Sequence, residues 1–154
     1  MKQTWKWDER FLRIAYEVAT WSKDPGTRVG SVLVQERRII ATGYNGFPAG
    51  ISDTLERYSN RDTKLAFTVH AEVNAILNAA KNGAETGMST LYVTFPPCVR
   101  CATSIIQAGI TRLVCPDLEF SPERWRSSFE EGQMLLKEAK LLVEYFDPEK
   151  HGFT

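Results

Sequence analysis

Four residues of this chain combine type and spacing in a way that suggests chemistry. His70 and Glu72 stand two apart in TVHAEVNAI, and Cys98 and Cys101 stand three apart in PPCVRCATS. Imidazole and thiolate are the ligands zinc favours, and a site with three protein ligands keeps its fourth position for water, as catalytic zinc sites do. A closed structural site needs one ligand more. The only other histidine, His151, lies in a polar tail, and the only other cysteine, Cys115, lies in an apolar run. Neither suits that role. Glu72 is then free to carry protons beside the metal. Each feature also has a plain structural reading. A histidine beside an apolar run is commonly a core residue, a cysteine pair arises by chance, and a carboxylate near a helix N-terminus is favoured by the helix dipole. The conjunction of all four, with Pro96 and Pro97 before Cys98, favours one metal centre.

Helix mouths are expected to position these groups. PPCVRCATSIIQAG reads as a helix with proline at its first turn and Gly109 past its end. Cys98 and Cys101 then share one face, and the positive helix end favours their thiolates. His70 opens a second helix, HAEVNAILNAAKNG, with an apolar stripe of Val73, Ile76, Leu77 and Ala80 and a stop at Gly83. Two helix N-termini would converge on one ion.

The remaining elements supply the frame. A helix is expected from Asp8, as N-cap, to Ser22, followed by the SKDPGTR loop. VGSVLV (29–34) and IIATGY (39–44) read as a hairpin turning through QERR. Residues 45–64 lack a sustained period and read as a long loop. TLYVTF, TRLVC and LLVEYF are further strands. A last helix starts at Ser121, with Trp125, Phe129, Leu136 and Ala139 on one side, and the tail from about 147 to 154 reads as exposed. Helix, hairpin, then alternating strands and helices predict an α/β fold, a three-layer α/β/α sandwich around a mixed five-stranded sheet.

A length of 154 residues suits a single domain, 1–154. No apolar run is long enough to cross a membrane, and the N-terminus has no apolar signal region, so a cytoplasmic location is expected. Lys plus Arg equals Asp plus Glu, at 19 each, which argues against a nucleic-acid partner while allowing a local cationic pocket. An odd count of three cysteines argues against a disulfide framework.

The pattern H-x-E followed by P-C-x-x-C is the signature of zinc nucleobase deaminases. SKDPGTRVGSVLV, ATGYNGFPAG, HAEVNAI and PPCVRCATSIIQAGI, in that order and over roughly residues 11–120, resemble the cytidine and deoxycytidylate deaminase family, its deoxycytidylate (dCMP) branch in particular. The resemblance implies a cytidine deaminase-like fold with one catalytic Zn²⁺ on His70, Cys98 and Cys101. Glu72 would be the proton carrier that converts dCMP to dUMP, the precursor of thymidylate. It implies substrate contacts from Asn45 to the sugar, from the Ala71 N–H to the pyrimidine O2 and from the Pro97 carbonyl to the amino group. Phe120 falls where relatives carry a substrate-contacting tyrosine and offers stacking or core packing in place of that hydrogen bond. For the 5′-phosphate, Arg28 and Lys64 are the candidates, with Arg57 and Arg61 in the long loop. The GYNGFPAG segment resembles a nucleotide-effector region, implicating Gly43, Asn45, Gly46, Phe47 and Gly50 in binding dCTP with Mg²⁺, or dTTP. Relatives assemble as homo-oligomers, so a hexamer or dimer is expected. Some regulated relatives carry Phe and Arg at the positions of Asn78 and Lys81, a departure here, and residues 20–70 lack ligands for a second zinc.

Two other readings fit the same residues. One is a deaminase of the same fold acting on free cytosine or guanine, dCTP, or adenosine in tRNA. The other is a non-catalytic, nucleotide-sensing zinc module, against which the intact Glu72 and the open ligand set argue.

Overall fold

The structure, a computed structural model, describes residues 2–153. Five strands form one sheet in the order β2-β1-β3-β4-β5. The hairpin β1 (Gly30–Gln35) and β2 (Arg38–Tyr44) is antiparallel and turns through Glu36 and Arg37, both at positive φ. β1 also runs antiparallel to β3 (Thr90–Val93), whereas β3, β4 (Arg112–Pro116) and β5 (Leu142–Phe146) are parallel. The expected mixed sheet is present.

Alternation along the strands divides the core between two faces. Val32, Val34, Tyr92 and Val114 meet Phe11, Leu12 and Ala15 of α1 (Lys2–Ala19). Leu33, Leu91, Val93, Leu113 and Cys115 point the other way. They pack on α4 (Ala71–Lys81), α5 (Val99–Gln107) and α6 (Arg126–Glu138). These are the three expected layers. Two glycines set how closely helices approach the hairpin. A Cβ on Gly30 would lie 2.0 Å from the Ala15 carbonyl oxygen, and one on Gly43 would lie 2.3 Å from that of Ala71.

Several expectations are corrected. Asp8 is not a helix cap: α1 begins earlier, and Asp8 is buried inside it, bonded to Tyr92 Oη at 2.6 Å and to both terminal nitrogens of Arg112 at 2.9 and 2.7 Å. Residues 45–64 are not a bare loop. They fold into α2 (Leu55–Ser59), capped by Thr54, and the start of α3 (Arg61–Phe67), capped by Asn60. The buried face of α4 is Ala71, Ala75 and Ala79, with Glu72. Of the expected stripe, Leu77 is 53% exposed and Ala80 is also exposed, because only small residues fit where α4 lies on Gly43. The flank of α4 next to this face reaches the sheet edge, where Asn74 Nδ2 donates to the Tyr44 carbonyl at 2.7 Å and Asn78 Nδ2 to that of Thr42 at 2.8 Å. Two short 3₁₀ turns, Leu118–Phe120 and Glu123–Trp125, precede α6, and Ala139 is exposed. The tail is not free: Phe153 is buried, stacked on Tyr16 with centroids 4.8 Å apart.

Candidate metal centre and its cleft

His70 is the N-cap residue of α4 and Cys98 that of α5, both in extended backbone, and neither side chain caps its own helix. A serine or aspartate there would turn back onto the helix. These two turn toward each other instead. Cys98 Sγ lies 3.5 Å from His70 Nδ1, and Cys101 Sγ, one turn into α5, lies 3.3 Å from the same nitrogen. The mouth of α4 is fixed from the sheet, since Ser31 Oγ of β1 donates to the Ala71 carbonyl at 2.8 Å.

The donor set fits zinc. One imidazole nitrogen and two sulfurs lie within 4.8 Å of one another, and among the described residues no further ligand joins them. Three ligands leave the fourth position for water or substrate. The cluster already favours a thiolate: the hydrogen bond from the Cys101 thiol pulls Cys98 down to about 4, while donating that bond, together with burial, pushes Cys101 up. Its hydrogen bond to Cys98 raises His70. Glu72 stands outside the ligand cluster and is 4% exposed; burial pushes its carboxyl up to about 7.

A cleft opens over His70, Glu72 and Cys98, walled by Phe95, Trp125 and Phe129. Asn45, Ala71 and Lys64, all read from the sequence, line it. Asn45 is a clamp as well: Oδ1 accepts from Val29 N and Nδ2 donates to the Thr27 carbonyl, both at 2.8 Å. Its φ is not positive, so it is not the left-handed turn residue its GYNG setting suggests. Lys64 Nζ pairs with Asp24 Oδ1 at 2.8 Å.

Other candidates lie elsewhere. Arg28 is exposed and outside the cleft, because Thr27 and Val29 face it and neighbours on an extended chain point oppositely. The same alternation brings Pro96 to the cleft and turns Pro97 away; the Pro97 carbonyl oxygen lies 3.1 Å from where a Cβ on Gly132 of α6 would stand. Phe120 is half-buried and does not line the cleft. Arg57 donates to the Ser52 carbonyl at 2.9 Å. Of the effector candidates, Gly43 is sealed beneath α4, Gly46 bridges to Val69, Phe47 stacks on Tyr58, and Gly50 is exposed at positive φ. Arg124 and Asp24 are charged lining residues that the sequence did not single out; for Arg124 the reason is local. Its segment is recognisable as a helix start, but nothing local says which way it faces.

The fold and site together define an α/β/α domain with an open, three-ligand metal centre beside a buried carboxylate. Residues 5–116 match the family model for the cytidine and deoxycytidylate deaminase zinc-binding region. The chain is 37% identical to the deoxycytidylate deaminase of Mus musculus, over 93% of this chain and 81% of that protein. It is 39% identical to an uncharacterized deaminase of Aliivibrio fischeri, over 90% and 92%. The crystal structure of dCMP deaminase from the cyanophage S-TIM5 in complex with dCMP and dUMP superposes with a TM-score of 0.73. That match has 26% identity over 90% of this chain and 95% of the other. This chain belongs to the cytidine and deoxycytidylate deaminase family.

Proposed function

We propose that the protein catalyses the zinc-dependent hydrolytic deamination of dCMP to dUMP and ammonia. The observation that carries this reading is the buried Glu72 carboxyl beside the His70, Cys98 and Cys101 donors, on the floor of a cleft lined by Arg61, Lys64 and Arg124. Relatives named deoxycytidylate deaminase support the choice of substrate.

His70, Cys98 and Cys101 would hold the metal. Bound zinc supplies the acidity that makes water a nucleophile near neutral pH. Glu72 would move a proton from the attacking water to N3 of the cytosine ring as C4 is hydrated. Glu72 would then carry the proton of the new C4 hydroxyl to the departing amino group, so that the C4–N bond breaks, the C4 carbonyl forms and ammonia leaves. A carboxyl whose pKa burial has moved close to neutrality suits both directions of transfer. The Ala71 N–H, in the first turn of α4, has no partner within its helix and would serve the pyrimidine O2. Asn45 keeps one amide hydrogen and one lone pair for the sugar beyond its two backbone bonds. The cations of the cleft receive the 5′-phosphate.

Activation by dCTP with Mg²⁺, inhibition by dTTP and assembly as a hexamer or dimer complete the proposal. The regulation rests on the resemblance of the GYNGFPAG segment, and the assembly on the resemblance to the family as a whole. Gly46, Phe47 and Gly50 lie outside the cleft, which suits an effector site separate from the substrate. A coupled ammonia assay tests both parts. dCMP should release ammonia, and titrating dCTP with Mg²⁺ and then dTTP should raise and lower the rate. No release from dCMP would refute the activity, and a flat response to both effectors would refute the regulation.

A further inference from the structure

Away from the metal donors and Glu72, the cleft wall holds one charge of the opposite sign to its neighbours. Arg61, Lys64 and Arg124 line it, and so does Asp24 of the SKDPGTR loop. Asp24 is 3% exposed; its Oδ1 accepts from Gly26 N at 2.7 Å and from Lys64 Nζ at 2.8 Å. Among the described residues Arg61 and Arg124 have no carboxylate partner. Lys64 does not need the acid in order to be solvated, since a quarter of its side chain remains exposed. The buried carboxylate is the costly member of the pair. It places a fixed negative charge within reach of any anion that Lys64 binds, in a setting where water screens poorly.

Leaving aside Glu72 beside the metal donors, the lining sets three cations against the one carboxylate of Asp24, an excess of two positive charges. A phosphate monoester carries about −1.5 to −2 at neutral pH, and a triphosphate brings roughly two charges more. We propose that Asp24 is a charge-limiting specificity residue, which lets the cleft take a nucleoside monophosphate and turns away the di- and triphosphates of the same nucleoside. The inference rests on the deaminase reading above and specifies its substrate class. Asp24 acts in two ways. It neutralises part of Lys64, and it repels the second and third phosphoryl groups directly, as like charges at close range do.

A charge-exchange cycle tests this, read as kcat/KM for ammonia release from dCMP, dCTP and deoxycytidine. Wild-type protein should favour dCMP over dCTP. Asp24→Asn keeps an oxygen for Gly26 N but adds one net positive charge, and should move the dCTP-to-dCMP ratio up by about tenfold. Lys64→Gln should move the ratio down. The double variant restores the wild-type charge and should return the ratio close to its starting value. A loop damaged by Asp24→Asn would depress all three substrates alike and leave the ratio unmoved, which would overturn the proposal. So would a double variant that fails to restore the ratio, or a wild-type preference for dCTP. Should Asp24→Asn not fold, Lys64→Gln decides: a ratio that stays level or rises defeats the proposal. Ammonia release that ignores Asp24 sinks this inference alone, whereas no release by the wild type from any of the three sinks the deaminase reading with it.

Discussion

His70 and Cys98 hold equivalent positions, each the N-cap residue of its own helix, and each leaves that helix uncapped. The two helix mouths therefore forgo local stability to aim a nitrogen and a sulfur at one point. His70→Asn and Cys98→Ser replace each ligand by a strong cap, worth up to about 1 kcal/mol apiece. Metal content should fall to background in both, while the melting temperature of the metal-stripped protein stays level or rises. Retained zinc, or a stripped protein several degrees less stable, would contradict the arrangement.

Glu72→Gln keeps the shape of the side chain and removes its proton chemistry. Zinc per chain should stay at the wild-type level, while kcat for dCMP falls by at least about a hundredfold, the usual share of a general acid–base group. Metal analysis beside the ammonia assay separates the two, and near-normal turnover would remove Glu72 from the mechanism.

Gly43 lies in the segment that resembles an effector region, yet it sits beneath the first turn of α4, with no room for a Cβ beside the Ala71 carbonyl. Gly43→Ala should push α4 outward, carrying His70 and Glu72 with it. Overpacking of this kind costs about 1–3 kcal/mol. A urea titration should show the loss of stability, and a chelator competition should show weaker zinc retention. A variant with unchanged stability and zinc, but an altered dCTP response, would return Gly43 to the effector site.

Asp8 and Arg112 meet across 104 residues, with Tyr92 Oη sharing the carboxylate. Asp8→Ala removes the bidentate partner of the largely buried Arg112 and leaves it Glu144 as its only carboxylate, and should cost about 1–3 kcal/mol. Chemical unfolding measures it, and adding Arg112→Met should recover much of the loss. Zinc content should not change in either variant.

What was legible in the sequence follows from the range of each interaction. The ligand set was readable because metal chemistry restricts residue type and spacing together, and the five strands because alternation is a local signal. Asp8 reads locally as a cap, since its partner lies at the far end of the chain. Leu77 reads as core by its spacing, but Gly43 admits only alanines beneath α4, and helix periodicity does not register so small a face. The cleft was half legible. Asn45, read from the resemblance, and Lys64, read as a cation for the phosphate, line the cleft, whereas Arg28 and Pro97 lie one residue off it, the interval at which an extended chain reverses its side chains. Arg124 depends on how two short turns after β4 orient their side chains, which no local pattern encodes.

The amides of Asn74 and Asn78 on the outer carbonyls of β2 have a consequence for the protein in crowded solution. A bare edge strand is a template on which another chain can continue the sheet. Here two of the acceptors that an incoming strand would need are already taken by side chains of the molecule itself. Polymerisation through β2 would have to strip α4 of those bonds first, and α4 carries His70. Resistance to fibril growth at this edge and integrity of the metal centre thus depend on the same helix staying docked.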